Sequence, residues 1–378
     1  MTIASFPTST GDGTDPDGQL FMDSNGDLFG ATVQGGTNDG ATYEIAKIAG
    51  GFATTPTFLA DIPTGLNTLA GPNGNVPNLS ADANGDLFGL EITGGSDSLG
   101  AVVEFPAGGG APTTLASFTP SVGASGPGGR LLVDASGDLF GTTLSGGAHG
   151  AGTVFELQKT GASYATTPTV LASFGSGITP SGLGNLVEDA AGDLFGTTTS
   201  SVFEVQKTGA NSYANPVSLV PFPVGTQIGT LTIDANGDIF GTTITGGAND
   251  AGAVFEIEKT ATGYVSTPSI LASFTLADGQ LSLNHPKTLI VDANGDLFGT
   301  TDPSSQNSGG SCTRSSRHLT ATIARRPLSP TEPRTPGLAP IWWRTRAAIC
   351  LRRRRPAAPT RTVRCLRSPT AASPRPPR

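Results

Sequence analysis

The sequence predicts an all-β chain built as an array of four-stranded antiparallel units, and three observations carry that prediction. A ten-residue core recurs six times. Apolar and β-branched residues alternate with small polar ones between Gly, Asn and Pro punctuation. No helical periodicity competes with that alternation. The cores are DSNGDLFGAT from Asp23, DANGDLFGLE from Asp82, DASGDLFGTT from Asp134, DAAGDLFGTT from Asp189, DANGDIFGTT from Asp234 and DANGDLFGTT from Asp292. Successive cores lie 59, 52, 55, 45 and 58 positions apart, which is the spacing of tandem structural repeats.

Each unit reads as four strands. The first is an apolar run ending at the core Asp, as in Leu131–Val133, Leu231–Ile233 and Leu289–Val291. A Gly-containing turn then reverses the chain, because a tight hairpin needs positive φ and only Gly adopts it freely. The second strand is Asp-Leu-Phe-Gly-Thr-Thr, and a Gly-Gly-x loop leads to the third, TVFELQK or AVFEIEK. A Thr-Pro connection leads to the fourth, TVLASF at Thr169–Phe174 or SILASF at Ser269–Phe274. Four short antiparallel strands, repeated, are the pattern of a β-propeller blade, whose sheets pack face to face around a ring and leave only short edges. TIASF at Thr2–Phe6 matches TLASF at Thr114–Phe118 and precedes any first strand. It predicts an orphan fourth strand that completes a blade begun at the other end of the chain.

Composition divides the chain near residue 310. Residues 1–310 hold six basic side chains (Lys47, Arg130, Lys159, Lys207, Lys259, Lys287) against 29 Asp and Glu, a net of −23. Residues 311–378 hold 16 Arg and one acid, Glu332, a net of +15. The expected domains are a β-propeller repeat domain over 1–310 and an Arg/Pro-rich, disordered tail over 311–378. Cys312, Cys350 and Cys365 all lie in the tail, so the repeat domain offers no disulfide, thiol nucleophile or thiolate ligand. The opening MTIASFPTSTGDG has neither a basic region nor an apolar run. No window approaches the ~18 apolar residues of a membrane span, so neither export signal nor span is expected.

Read one nucleotide out of frame near Gly310, the tail permits LVADAGGDLF across Ile341–Leu351 and Gly-Thr-Val-Phe-Glu across Thr362–Arg367. The register agrees, with 18 residues from the core Asp to the Gly of GTVFE both in the unit at Asp134 and in the shifted unit from position 345. The tail therefore reads as a frameshifted remnant of a sixth unit's second half and a seventh unit, with seven blades intended and five complete. In that reading the ring stays open and its exposed edges invite aggregation. The rival reading, a cationic arm for nucleic acid or anionic membrane, rests on a charge run alone.

The motif GDLFGTTxxGGAxxxGxVFE resembles the bacterial GloVer repeat, found in tandem in choice-of-anchor surface or exported proteins. It is also similar to the two-component-regulator propeller repeat, which shares Asp-x-x-Gly-x-Leu-aromatic-Gly-Thr. The resemblance covers the repeat domain almost end to end and implies a propeller, often extracellular or at the cell surface. It carries no catalytic residues to transfer.

Candidate chemistry is sparse. D-x-N-G-D places oxygens at positions 1, 3 and 5, as calcium loops do, but the Gly at position 6 and Glu at 12 of an EF-hand are missing. Position 3 is Asn25, Asn84, Asn236 and Asn294 in four units but Ser136 and Ala191 in two, which favours a turn over a metal loop. His149 and His285 lie in loops with no recognisable catalytic partner. Glu44, Glu104, Glu156, Glu204 and Glu256 recur in every complete unit, which favours a structural role. Glu91 and Glu188 break the pattern and are the enzyme candidates, as axial carboxylates of a glycan-active hydrolase or lyase. The loops after the second and fourth strands emerge on one face and vary: GGSDSLG, GGAHGAG and GGANDAG differ, and the loop at Thr199–Ser201 is shortened. Variable loops on a regular scaffold are where ligands bind. The expected function is a non-enzymatic binding module for a glycan or protein, with no catalytic, metal or cofactor residues. Nucleic acid is not expected on so acidic a surface.

Overall fold

A computed structural model of the chain describes residues 4–7, 14–34, 40–62, 70–71, 74–75, 79–92, 94–122, 127–175, 177–180, 185–223, 226–248, 250, 252–274, 289–291, 295, 297–300, 315–323, 347–353 and 360–366, the last three segments as backbone. No helix occurs among the described residues, and five four-stranded antiparallel blades stand in a β-propeller arrangement. Blade 1 comprises Thr14–Met22, Leu28–Gln34, Ala41–Ile45 and Thr57–Asp61; blade 2 comprises Ser80–Ala81, Leu87–Glu91, Ala101–Phe105 and Thr113–Ser117. Blade 3 comprises Pro127–Val133, Leu139–Thr143, Thr153–Leu157 and Thr169–Ser173; blade 4 comprises Val187–Glu188, Leu194–Thr197, Ser201–Val205 and Val217–Pro221. Blade 5 comprises Ile228–Ile233, Ile239–Thr243, Ala253–Ile257 and Ser269–Ser273. Each is a meander in sequence order, as the hairpin reading requires.

The turn that starts each second strand is built identically. In blade 3 the Asp134 N–H donates to Asp138 O at 3.0 Å, the Gly137 N–H donates to Asp134 O at 3.1 Å, and Gly137 sits at φ 85°. A Cβ would strain there, which is why this Gly recurs.

No single blade has a closed core, so each buries its faces against its neighbours. The Phe that ends one blade's fourth strand stacks edge-on against the third-strand aromatic of the next. Phe118 meets Phe155 at 5.0 Å between centroids and Phe174 meets Phe203 at 5.0 Å, while Phe222 meets Phe255 at 4.7 Å in a tilted pair. Both rings of the Phe118 and Phe174 pairs are fully buried, and the clusters that contain them span two blades. The third-strand ring lies across its own sheet over the second-strand Gly opposite it, Gly141 under Phe155 and Gly196 under Phe203. A Cβ on Gly141 would stand 2.5 Å from Phe155 Cζ, and one on Gly196 2.4 Å from Phe203 Cζ. The Gly of DLFGTT is thus a gap that a neighbouring ring fills.

Blade 2 solves the same problem with aliphatic residues. Ile62 of blade 1 and Val103 of blade 2 take the two positions, and both are buried in one cluster. In every blade the third-to-fourth register shifts by one residue, between Val102 and Val103 in blade 2 and between Val154 and Phe155 in blade 3. The extra residue is Leu115 or Leu171, half-buried against the boundary cluster. A β-bulge of this kind re-aims the strand so that Ala and Phe of the ASF ending meet the next blade, while the Ser turns to its own blade's loop.

The N-terminal strand behaves as the orphan predicted for it. Ala4 and Phe6 are buried against Leu28, Tyr43 and Ile45 of blade 1, and Phe6 meets Tyr43 at 4.7 Å and 75°. That is the inter-blade pair made by Phe118 and Phe155, with a residue upstream of blade 1 supplying the fourth-strand ring. A sixth sheet begins with Ile290–Val291 and Leu297–Thr300, and Leu289 and Leu297 pack on Phe240 and Val254 of blade 5. Three segments of the tail, for which the sequence predicts disorder, are described as backbone strands that continue this sheet: Ser315–Ile323, Ala347–Arg353 and Thr360–Leu366. Ser5–Pro7 is its last strand, with Ser5 opposite Thr362. The rest of the tail and the core from Asp292 to Asn294 lie outside the described residues.

Replacing Gly141 by Ala forces the buried Phe155 ring out of its place without removing any contact. Urea unfolding should show a loss of about 1–3 kcal/mol, the usual cost of overpacking. An unchanged midpoint would mean that the gap is not required.

Candidate functional site

One face of the ring carries the Gly-Asp turns, and its charged groups have structural partners. Asp134 Oδ1 accepts the N–H groups of Ser136 and Asp138, both at 2.8 Å, and Asp189 Oδ1 accepts those of Ala191 at 2.9 Å and Asp193 at 3.0 Å. Where position 3 is Asn, its amide donates to the other oxygen of the Asp, as Asn236 Nδ2 does to Asp234 Oδ2 at 3.0 Å. The second Asp closes the unit by accepting the N–H that follows the third strand, Asp138 Oδ1 from Lys159 at 2.6 Å and Asp238 Oδ1 from Lys259 at 2.8 Å. The oxygens that invite a calcium reading therefore hold the turn together. Ser136 and Ala191 serve at position 3 because only their backbone N–H is used.

The Lys after the third strand links blades. The Lys159 stem runs over Gly137 and its Nζ reaches Asp82 of the preceding blade at 3.4 Å; Lys259 Nζ reaches Asp189 at 2.6 Å. Their cross-strand partners Tyr164 and Tyr264 lie beneath the ammonium groups at 5.2 and 5.6 Å, and pack edge-on against Phe88 and Phe195 of the preceding blades. The recurring third-strand Glu residues stand in the same layer. Burial first, then the neighbouring Asp carboxylates, pushes Glu156 and Glu204 above the usual carboxylate range, and Lys207 and Lys259 pull them part of the way back. Blade 2 has Ala107 at the Lys position, so the carboxylates of Asp23, Asp27 and Glu44 in blade 1 face no such ammonium. Burial and then those two Asp residues raise Glu44. Sequence reading missed these links, although the Lys three residues after the Glu in four units was the available signal.

Glu188 ends the first strand of blade 4 on this turn face. Burial raises its carboxyl, Asp134 raises it further, and Lys207 opposes both. Lys207 sits over Tyr213 at 5.6 Å and responds to Glu188 and Glu156, so Glu188 adds a carboxylate beside the Lys that links blades 2 and 3 and blades 4 and 5 at the equivalent position.

The opposite face carries the variable loops, and three of them share one frame. In GGAHGAG the Gly152 N–H donates to Gly146 O at 3.1 Å, and the Ala148 N–H donates to Ser173 Oγ at 3.1 Å. In GGANDAG the Gly252 and Ala248 N–H groups do the same at 3.1 Å each, and in GGSDSLG Gly100 and Ser96 do so at 2.9 and 3.1 Å. The tips differ: Asp97 and Ser98, His149, and Asp250 are exposed there. Blade 4 reduces the loop to a tight turn, Thr198 N–H to Ser201 O at 2.8 Å. His285 lies outside the described residues.

Glu91 belongs to the loop face and occupies a position with a structural rule. In the other four blades it is a buried Thr whose hydroxyl accepts the first N–H of the third strand: Thr32 from Ala41, Thr143 from Thr153 and Thr243 from Ala253, each at 3.0 Å, and Thr198 from Ser201 at 2.8 Å. Glu91 breaks this cap, and Gly94 makes room for it, since a Cβ there would overlap the carboxylate. Burial alone pushes the Glu91 carboxyl up. The structure does not bring Glu91 and Glu188 together: one ends a second strand on the loop face, the other a first strand on the turn face, two blades away.

Between the two faces the innermost strands are braced by side chains. Arg130 lies over the Phe21 ring at 4.9 Å and its Nε donates to Ser80 Oγ at 3.3 Å, while Asn185 pairs with Leu231 through its N–H at 2.9 Å and its O at 3.1 Å. Burial lowers the guanidinium to about 10. Among the described residues no group of three or more His, Cys, Asp or Glu is placed to hold a metal ion, and no helix is long and apolar enough to cross a membrane.

No family model and no curated protein matches the chain. Similar solved structures are β-propeller proteins at low identity. PorZ, a surface component of the type-IX secretion system of Porphyromonas gingivalis, is 15% identical with a TM-score of 0.45, over 76% of this chain and 37% of PorZ, so the chain spans well under half of that protein. Virginiamycin B lyase of Staphylococcus aureus is 12% identical with a TM-score of 0.48, over 82% of each chain. Regucalcin of Agrobacterium tumefaciens, a calcium-binding protein, is 12% identical with a TM-score of 0.45, over 81% of this chain and 88% of its own.

Glu91→Thr restores the cap used by the other blades and should raise stability by about 1 kcal/mol at neutral pH, the net worth of a buried hydrogen bond. Because the folded carboxyl is raised, its ionisation opposes folding. That cost is absent at pH below the ordinary Glu value of 4.5, grows as pH rises through the raised value and is constant above it. The gap between variant and wild type should widen over the same window; a variant less stable than wild type at pH 7 contradicts the reading. Ala107→Lys should supply the missing link to Asp23 and raise the melting temperature, by less than about 1 kcal/mol in stability. High salt should erase the gain.

Proposed function

We propose that the chain is a surface or exported binding module that takes a glycan or a protein segment on its loop face. The observation that carries this reading is the common loop frame with differing tips: the Ser of each ASF ending holds the loop base, and Asp97, Ser98, His149 and Asp250 vary above it. A rigid base with exposed polar tips suits hydrogen bonding to hydroxyl-rich ligands. Glu91 adds a half-buried carboxyl to that face at the cost of a structural cap, which is how functional positions depart from a repeat's rules.

The alternative is a glycan-active hydrolase or lyase. Paired-carboxylate hydrolysis needs two acids within about 5–10 Å across one bond. The two irregular acids, Glu91 and Glu188, stand on opposite faces, so binding is the better-supported reading. We also read the Arg-rich tail as a frameshifted remnant, which the nucleotide sequence around codon 310 tests.

A glycan array followed by titration decides between the readings. Binding without turnover, weakened at least tenfold by combined Asp97→Ala and His149→Ala, is the expected result. Cleavage of a bound saccharide that disappears in Glu91→Gln would establish the enzyme instead.

A further inference from the structure

The link between blades 4 and 5 has the parts of a covalent bond-forming site. Lys259 Nζ lies 2.6 Å from Asp189 Oδ2, and the Asp189 side chain is only 1% exposed. The other oxygen, Oδ1, already accepts two backbone N–H groups, from Ala191 at 2.9 Å and Asp193 at 3.0 Å. Glu204, on the third strand of blade 4, is the acid beside this pair: burial, then Asp193 and Asp189, raise its carboxyl, and Lys259 lowers it. Aromatic rings flank one side of the site, with Tyr264 5.6 Å from the Lys259 ammonium and packed edge-on against Phe195 at 5.2 Å, while the Lys259 side chain keeps 34% of its surface exposed.

We propose that Lys259 and Asp189 join through an isopeptide bond that fastens blade 5 to blade 4. Glu204 takes a proton from the Lys259 ammonium, and the free amine attacks Asp189 Cγ. Negative charge gathers on Oδ1, where the Ala191 and Asp193 N–H groups form an oxyanion hole ready before the reaction begins. The nitrogen gives up a second proton. The two protons reach Oδ2, Glu204 carrying them, and Oδ2 leaves as water, so that an ammonium and a carboxylate become an amide and one water molecule. No oxidant, reductant or cofactor enters. The fold supplies the proximity that makes so slow a condensation effective, because Asp189 in a turn of blade 4 and Lys259 after the third strand of blade 5 are held in contact. The other linked boundary is less favourable in distance, with Lys159 Nζ at 3.4 Å from Asp82 Oδ2.

Mass spectrometry of the purified full chain tests this. The expected result is an intact mass below that of the sequence by one water, with a branched tryptic peptide in which the Lys259 segment is joined to the Asp189 segment. Lys259→Arg keeps the positive charge but removes the nucleophile, and Glu204→Gln removes the proton carrier. Both should restore the sequence mass while circular dichroism stays that of wild type. Separate linear peptides containing Lys259 and Asp189 in folded wild-type protein would overturn the proposal, whatever the variants do. A lost water traced to a linear succinimide peptide would overturn it equally, and a branched peptide that persists in Glu204→Gln would remove Glu204 from the step.

Discussion

The fold depends on one contact made at three of the four boundaries between the five blades: an aromatic ring at the end of a fourth strand packed against the third-strand ring of the following blade. Neither sheet of such a pair can exclude water alone. Phe174 and Phe203 are both fully buried only because blades 3 and 4 close on each other. The second-strand Gly is part of the same device, since Phe203 occupies the space a side chain at Gly196 would need. Edge-to-face aromatic pairs add about 0.5–1.5 kcal/mol beyond the area they bury, so a ring of them fixes the angle between sheets as well as their adhesion. The boundary between blades 1 and 2 lacks both parts of the pattern, with Ile62 and Val103 in place of rings and Ala107 in place of the Lys.

Packing of this kind explains why the two faces of the ring differ in chemistry. The turn face is rich in carboxylates, but Asp residues there accept backbone N–H groups and the Lys residues bridge blades, so the charges are spent on holding repeats together. Their regular recurrence follows from that use. On the loop face only the frame is repeated; of the tips, Asp250 accepts the Gly246 N–H at 2.8 Å, and Asp97, Ser98 and His149 stand exposed. Glu91 is the exception to the frame: it stands half-buried where Thr32, Thr143, Thr198 and Thr243 cap the next strand.

Much of this was legible in the sequence because the repeat forces local and tertiary signals to agree. The Asp-x-x-Gly-Asp turn, the strand order and the orphan strand ending at Phe6 all follow from comparing units with one another. Four features were hidden for physical reasons. The bulge at Leu115 and its equivalents leaves no mark in composition, since Leu suits a regular strand equally well. The Gly of DLFGTT reads as a weak strand residue until the opposing ring is seen above it. The role of Glu91 needed the Thr hydroxyl contacts, which only coordinates display; its irregularity was visible, its meaning was not. Pairing Lys159 with Asp82 joins residues 77 positions apart, beyond the reach of local pattern.

The most direct measurement is a double-mutant cycle on Phe174 and Phe203 by urea unfolding, with each residue replaced by Leu singly and together. If the boundary rests on the ring pair, the two losses should fail to add, with a coupling of about 1 kcal/mol. Losses that add to within about 0.3 kcal/mol would mean that the rings contribute only buried area, and that something other than their pairing holds the blades in place.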